Sequence, residues 1–98
     1  MHARVITGQY QSGKMDEGLQ IVRESILPET RQQRGFQGVT ALLDRSTGKT
    51  MTITLWQTEA DAQASGASSP YLQAQLAKIV SLFSAAPTIE MYEVVVHE

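Results

Sequence analysis

Between Lys49 and Gln57, both alternating sets of positions carry residues that favour a buried strand. Met51, Ile53 and Leu55 fall on one parity, and Thr50, Thr52, Thr54 and Trp56 on the other. A strand of this kind is covered twice. Thr58-Glu59-Ala60-Asp61 follows at once and reads as a helix start, with the Thr58 hydroxyl placed to take an orphan amide of the first turn. One layer of helices covers one side of a sheet, so the other side of a sheet built around this strand calls for a second surface.

The rest of the chain supplies five more elements. Residues 3–10 alternate as a strand, and Gln11-Ser12-Gly13-Lys14 turns it into a helix. Met15, Leu19, Val22 and Ile26 recur at steps of three and four and make one apolar stripe. Pro28 removes a backbone donor inside that run, which predicts a kink or a restart there and a second helical piece over residues 29–33. Gly35 closes it, and residues 36–44 form the second strand. Here Val39, Ala41 and Leu43 alternate against Phe36, Thr40 and Leu42. Arg45-Ser46-Thr47-Gly48 is a hairpin loop into the third strand. After a short alanine-rich helix, Ser69-Pro70 marks another start, with serine as cap and proline at the first helical position. Leu72, Leu76, Ile79, Val80 and Phe83 form its stripe. Residues 88–97 are the last strand, apolar on both sides through Ile89, Met91 and Val95 against Tyr92, Val94 and Val96.

The order β-α-β-β-α-β predicts an α+β fold of the ferredoxin-like kind, an antiparallel sheet with its helices on one face. Several apolar side chains of a single copy would then meet water. A homodimer that stacks sheet on sheet removes that exposure.

Composition narrows the function classes. At 98 residues the chain holds a single domain, residues 1–98, with one core. A net charge of -2 leaves no basic footprint for phosphate neutralisation, so nucleic acid is not an expected partner. The absence of cysteine excludes disulfides, thiolate metal sites and cysteine nucleophiles. Residues 1–6 become strand-like without an apolar run, so neither a signal peptide nor a membrane partner is expected, and the reading is a cytoplasmic protein.

Arg34-Gly35-Phe36-Gln37-Gly38 and the run from Thr52 through Trp56 to Asp61 carry a family resemblance that extends over essentially the whole chain. It resembles the antibiotic biosynthesis monooxygenase family of dimeric α+β barrels. That resemblance implies a dimer and one of several activities, among them cofactor-free oxygenation of polyketide anthrones and haem degradation. The haem-degrading members use an asparagine, a tryptophan and a histidine. This chain has no asparagine, and Ser65 or a neighbour and Gln75 stand where the other two fall. Glutamine is not an axial haem ligand. The anthrone oxygenases match at Trp56 but carry an asparagine where Thr52 stands.

Oxygenation without a cofactor needs an electron-rich substrate, a dry apolar cavity, a proton acceptor and donors for the developing oxyanion. Trp56 is a candidate cavity wall, and Tyr71, Tyr92, Thr52 and Thr54 are candidate hydroxyl donors, with Phe83 as further lining. The plain alternatives are a core tryptophan, tyrosines at a core edge or interface, and a strand-favouring threonine row. In the strand order that the resemblance implies, the first and last strands are antiparallel neighbours, which sets His2, His97 and Glu98 side by side, but as chain ends they read as solvated rather than as a metal site. The reading is a dimer whose cavity takes a small hydrophobic or aromatic ligand, with no metal and no cofactor. It serves either as a monooxygenase for an aromatic or quinol-type metabolite or as a non-catalytic binding or accessory protein. A third alternative is a purely structural dimer, its cavity filled by Met15, Leu19, Leu76 and Phe83.

Overall fold

The computed structural model describes residues 1–98. Its four strands are β1 (His2–Gln9), β2 (Phe36–Leu43), β3 (Lys49–Trp56) and β4 (Thr88–Glu93). They form one antiparallel sheet in the order β2-β3-β1-β4. This is the ferredoxin-like arrangement that the element order predicts.

The helical layer starts with α1 (Met15–Ile21) and continues through a π-helical stretch (Val22–Ile26) into α2 (Leu27–Thr30). The interruption expected at Pro28 therefore takes the form of a widened turn. Leu27 N–H reaches back five residues to Val22 O, and α2 restarts with Pro28 in its first turn, where a missing donor costs nothing. The restart ends at Thr30, short of the predicted residue 33.

α3 (Glu59–Ala64) and α4 (Pro70–Ala77) begin where their caps dictate. Thr58 Oγ1 accepts from Asp61 N at 3.0 Å, and Ser69 Oγ accepts from Leu72 N at 3.1 Å. Each cap satisfies an otherwise orphan amide, worth about 1 kcal/mol. A 3₁₀ turn (Val80–Leu82) replaces the last turn of the predicted helix and leaves Val80 exposed.

The register decides which parity meets the helices. Arg4 pairs with Thr54, Ile6 with Thr52 and Gly8 with Thr50, and these residues face the helical layer. Ala41 on β2 joins them. The opposite face carries Val5, Leu42, Met51, Ile53, Leu55 and Tyr92 and has no helix over it. Leu42 and Tyr92 are each half exposed. The threonine row thus points inward and the apolar row outward, the reverse of what hydropathy alone favours.

The tight core sits at one end of the helical layer, where Tyr10, Ile79, Leu82 and Phe83 cluster with Met15, Ile21, Val22, Ile26 and Leu43 around them. Tyr10 and Phe83 stack at 5.0 Å between ring centroids. Two glycines admit these rings. A Cβ on Gly18 would run into the Tyr10 ring, and one on Gly8 would lie 2.9 Å from the Phe83 ring.

β4 is shorter than predicted. Val94 N–H takes Met1 O as the last ladder bond, and Val95 and Val96 extend beyond it at 80% and 76% exposure. No helix is long and apolar enough to cross a membrane.

Candidate functional site

A cleft lies between the inward face of the sheet and the helices. It holds about 790 Å³ of space not occupied by atoms, its open mouth included. Its floor is Arg4, Ile6 and Gly8 of β1, Thr50, Thr52 and Thr54 of β3, and Ala41 of β2. The run from Leu19 to Thr30 supplies one wall through Leu19, Val22, Ile26, Leu27 and Thr30. Tyr71, Leu72, Gln75 and Leu76 of α4 supply the other. Ile79, Phe83 and Tyr10 join it to the core cluster.

The walls are mostly apolar, and their polar groups are hydroxyls, one amide and one guanidinium. The Tyr71 and Thr30 hydroxyls share a hydrogen bond of 2.5 Å, and Thr30 Oγ1 also bonds Ile26 O at 3.0 Å. Burial pushes the Tyr71 phenol above its ordinary value, with the Thr30 bond and the charge of Arg4 pulling the other way. Tyr71 is a neutral phenol at pH 7. Gln75, where the haem-degrading relatives place histidine, is buried and donates to the Glu29 carboxylate while accepting from Lys78 Nζ at 2.8 Å. Its amide serves as a tie between α2 and α4.

Arg4 is the residue that sequence reasoning passed over. It is 1% exposed, and its Nη1 donates to Ala62 O at 3.1 Å and to Ser65 Oγ at 3.3 Å. Its guanidinium carbon lies 4.8 Å from the ring centroid of Trp56. Burial holds its pKa below the ordinary arginine value, and Tyr71 opposes that shift. The signal was present in the sequence as a lone cation in the strand Ala3-Arg4-Val5-Ile6. Its parity relative to the helices was not.

Of the residues expected at the site, Thr52, Thr54, Tyr71 and Phe83 are brought together around the cleft. Trp56 and Tyr92 are not. Trp56 is fully buried at the end of β3, donates its indole N–H to Thr54 Oγ1 at 3.0 Å, and meets Phe36 edge to face at 6.0 Å. It backs Arg4 instead of lining the cleft. Tyr92 pairs with Ala3, a register that turns it to the bare face, where its hydroxyl donates to Glu90 Oε2 at 3.0 Å. The chain ends do not gather either. His2 is in register with Glu93 and lies 3.4 Å from Glu59, while His97 lies beyond β4. Leu19, Leu76 and Phe83 line the cleft, and Met15 packs on the core cluster.

A ferredoxin-like sheet with an apolar cleft under its helices and a bare outer face defines a class of small α+β proteins. Within that class, the antibiotic biosynthesis monooxygenase profile matches residues 1–77, and the chain belongs to this family. An uncharacterized protein of Mycobacterium tuberculosis, Rv2557, is 30% identical over 94 residues, which are 96% of this chain and 41% of that protein. The chain therefore spans less than half the length of this curated relative.

Among solved structures, a mutant of SnoaB, a cofactor-independent oxygenase from Streptomyces nogalater, superposes with a TM-score of 0.80 at 13% identity, covering 98% of this chain and 94% of that one. A protein of unknown function from Nitrosomonas europaea gives 0.77 at 22% identity, covering 99% and 91%. At these identities the likeness carries the fold and leaves the chemistry to the site.

Proposed function

We propose that the cleft binds a small aromatic or quinol-type metabolite and that the chain acts on it as a cofactor-independent monooxygenase. The observation that carries this reading is the inward threonine row. Thr50, Thr52 and Thr54 lie along the floor of a mostly apolar cleft. Thr50 and Thr54 give their hydroxyl hydrogens to Leu42 O and Arg4 O, which leaves Thr52 as the floor hydroxyl free to meet a ligand, and Tyr71 and Thr30 add a bonded hydroxyl pair on the walls. Such a site takes a flat hydrophobic ring among its apolar walls and offers the Thr52 hydroxyl to an oxygen atom on the ring's edge. The family and the shape shared with SnoaB, an oxygenase that uses no cofactor, support the same direction.

The chemistry asked of the protein is modest. A ring methylene flanked by aryl groups loses a proton to solvent, the carbanion passes an electron to dioxygen, the two radicals combine, and the peroxide anion takes a proton back. The resulting peroxide breaks down to a carbonyl and water, so CH₂ and O₂ become C=O and H₂O. The oxyanion that forms along this path is what the free Thr52 hydroxyl would meet. Oxygen uptake with a panel of anthrones and hydroquinones tests the reading, and Tyr71→Phe should slow it. An oxygen trace that stays flat across the panel would sink it.

A second reading, a binding or accessory protein without turnover, draws on a specific observation. The cleft lining contains no carboxylate, imidazole, thiol or ammonium group, so no side chain there is poised near neutral pH as a proton acceptor. Micromolar binding of the same panel without oxygen uptake would favour it.

We further propose that two copies associate through the bare sheet face. Val5, Met51, Ile53 and Leu55 lie there only part-buried beside the half-exposed Leu42 and Tyr92, and a contiguous apolar surface of this kind is a contact surface in soluble proteins.

A further inference from the structure

The reading of the cleft as a small-molecule site leaves open what chemistry marks the ligand. Arg4 lies at the cleft floor, almost wholly inaccessible, yet it has no carboxylate partner. The ion pairs of the chain join His2 to Glu59, Lys14 to Glu17, Arg34 to Asp61, Arg45 to Asp16 and Lys78 to Glu29, and Arg4 is in none of them. A guanidinium is charged at any pH the fold survives, and a buried charge without a counter-charge is costly. What the chain gives it is neutral: a carbonyl, a hydroxyl and the face of an indole.

The geometry of the fork is more specific than its charge. Both hydrogen bonds to the chain leave through Nη1, toward α3. Nε is buried and donates to nothing. A planar guanidinium binds a carboxylate side-on through paired N–H groups, and Nε belongs to an edge the protein has not used. Tyr71, close enough for its charge state to be felt by Arg4, adds a phenol on the same cleft wall. A purely structural arginine at this depth would normally have every donor matched.

We infer that Arg4 is an oxyanion receptor and that the ligand of this cleft is an aromatic anion, a carboxylate or phenolate whose ring lies among the apolar walls. The inference rests on the small-molecule reading and narrows it. It also bears on the absence of a base for one of the two anions: a ligand that arrives as a phenolate conjugated with the reacting carbon has already lost the proton that electron transfer to dioxygen requires, whereas a carboxylate has not.

The test compares 2-naphthoate with 2-naphthamide, which have the same rings and nearly the same shape but differ in charge, by calorimetric titration of the whole chain. The expected result is naphthoate binding tighter by about tenfold or more, the worth of one charge-assisted pair. Arg4→Met should collapse that preference to under about twofold with naphthamide affinity little changed, since only the charged donor has gone. Ser65→Ala should keep the preference, because it removes a support of Arg4 and no charge.

Should Arg4→Met fail to fold by circular dichroism, Arg4→Lys decides. It keeps the charge without the planar fork, and the preference must fall by at least about threefold. Equal affinities for the two probes in the native protein, or a preference that survives in a folded Arg4→Met or undiminished in Arg4→Lys, overturns the inference and leaves the cleft as a neutral-ligand site. If neither probe binds, both the inference and the small-molecule reading fall. A clear naphthoate preference with no oxygen uptake from any substrate sinks only the monooxygenase.

Discussion

The guanidinium of Arg4 lies 4.8 Å from the centroid of the Trp56 indole, and Trp56 in turn donates its N–H to Thr54, the strand partner of Arg4. A strand cation, a strand aromatic and a strand hydroxyl thus form one closed unit at the end of the cleft. The tryptophan meets the cleft lining through Arg4 and Thr54 and does not line the cleft itself.

Trp56→Phe should therefore destabilise the fold more than it impairs the site. It removes an indole N–H bond and shrinks a fully buried aromatic, and the expected cost is about 1–3 kcal/mol. Urea denaturation followed by circular dichroism measures this, since the substitution removes the sole tryptophan as a fluorescence reporter. Ligand affinity should change less than in Tyr71→Phe. The opposite ranking would return Trp56 to the cleft wall.

Gly18→Ala reverses the usual sign of that substitution. Inside an exposed helix alanine is favoured over glycine by about 1 kcal/mol, yet here the new methyl meets the Tyr10 ring. Overpacking of this kind costs about 1–3 kcal/mol. A raised melting temperature would show that Tyr10 yields freely and that the contact is slack.

The two helix caps should differ. Ser69 is buried and its hydroxyl both accepts from Leu72 N and donates to Gly66 O at 2.7 Å, whereas Thr58 is exposed and only accepts. Thr58→Ala should cost about 1 kcal/mol, and Ser69→Ala more, since it also removes one of the two hydrogen bonds to Gly66 O, the other coming from Ser69 N–H. Denaturant midpoints that fall equally would refute the difference.

Ile53→Asp tests the outer face. Its side chain points away from the helices, so the monomer fold should persist, while an aspartate at an apolar contact is left unpaired on association. Light scattering should report a dimer for the native chain and a monomer for the variant. A dimer unchanged by the substitution would move the contact elsewhere.

Acid should weaken the junction of α2 and α4. The hydrogen bond from Gln75, then the bond and charge of Lys78, hold the Glu29 carboxyl below its ordinary value. A group depressed in the folded state stabilises it above the unfolded pKa and loses that contribution as pH falls through the folded one. Between pH 6 and pH 3 the native chain should therefore lose more stability than Glu29→Gln, which has no proton to take up. Glu29 lies largely in solvent and the effect will be small. Parallel pH profiles for the two would remove Glu29 from the acid limb.

Element order, the capped starts at Thr58 and Ser69 and the interruption at Pro28 were all legible in the chain. Each follows from local chemistry: a hydroxyl within reach of an amide, a missing donor, a periodic stripe. What remained hidden was parity. Both faces of β3 are suited to burial, and a period of two does not say which of them the helices will choose. Only the packed tertiary structure turned the threonines inward, sent Met51, Ile53, Leu55 and Tyr92 to the outside, and drew Arg4 into the cleft without a counter-charge. That outcome depends on how the helical layer closes over a sheet that brings together Arg4 and Thr54, which are far apart in the chain.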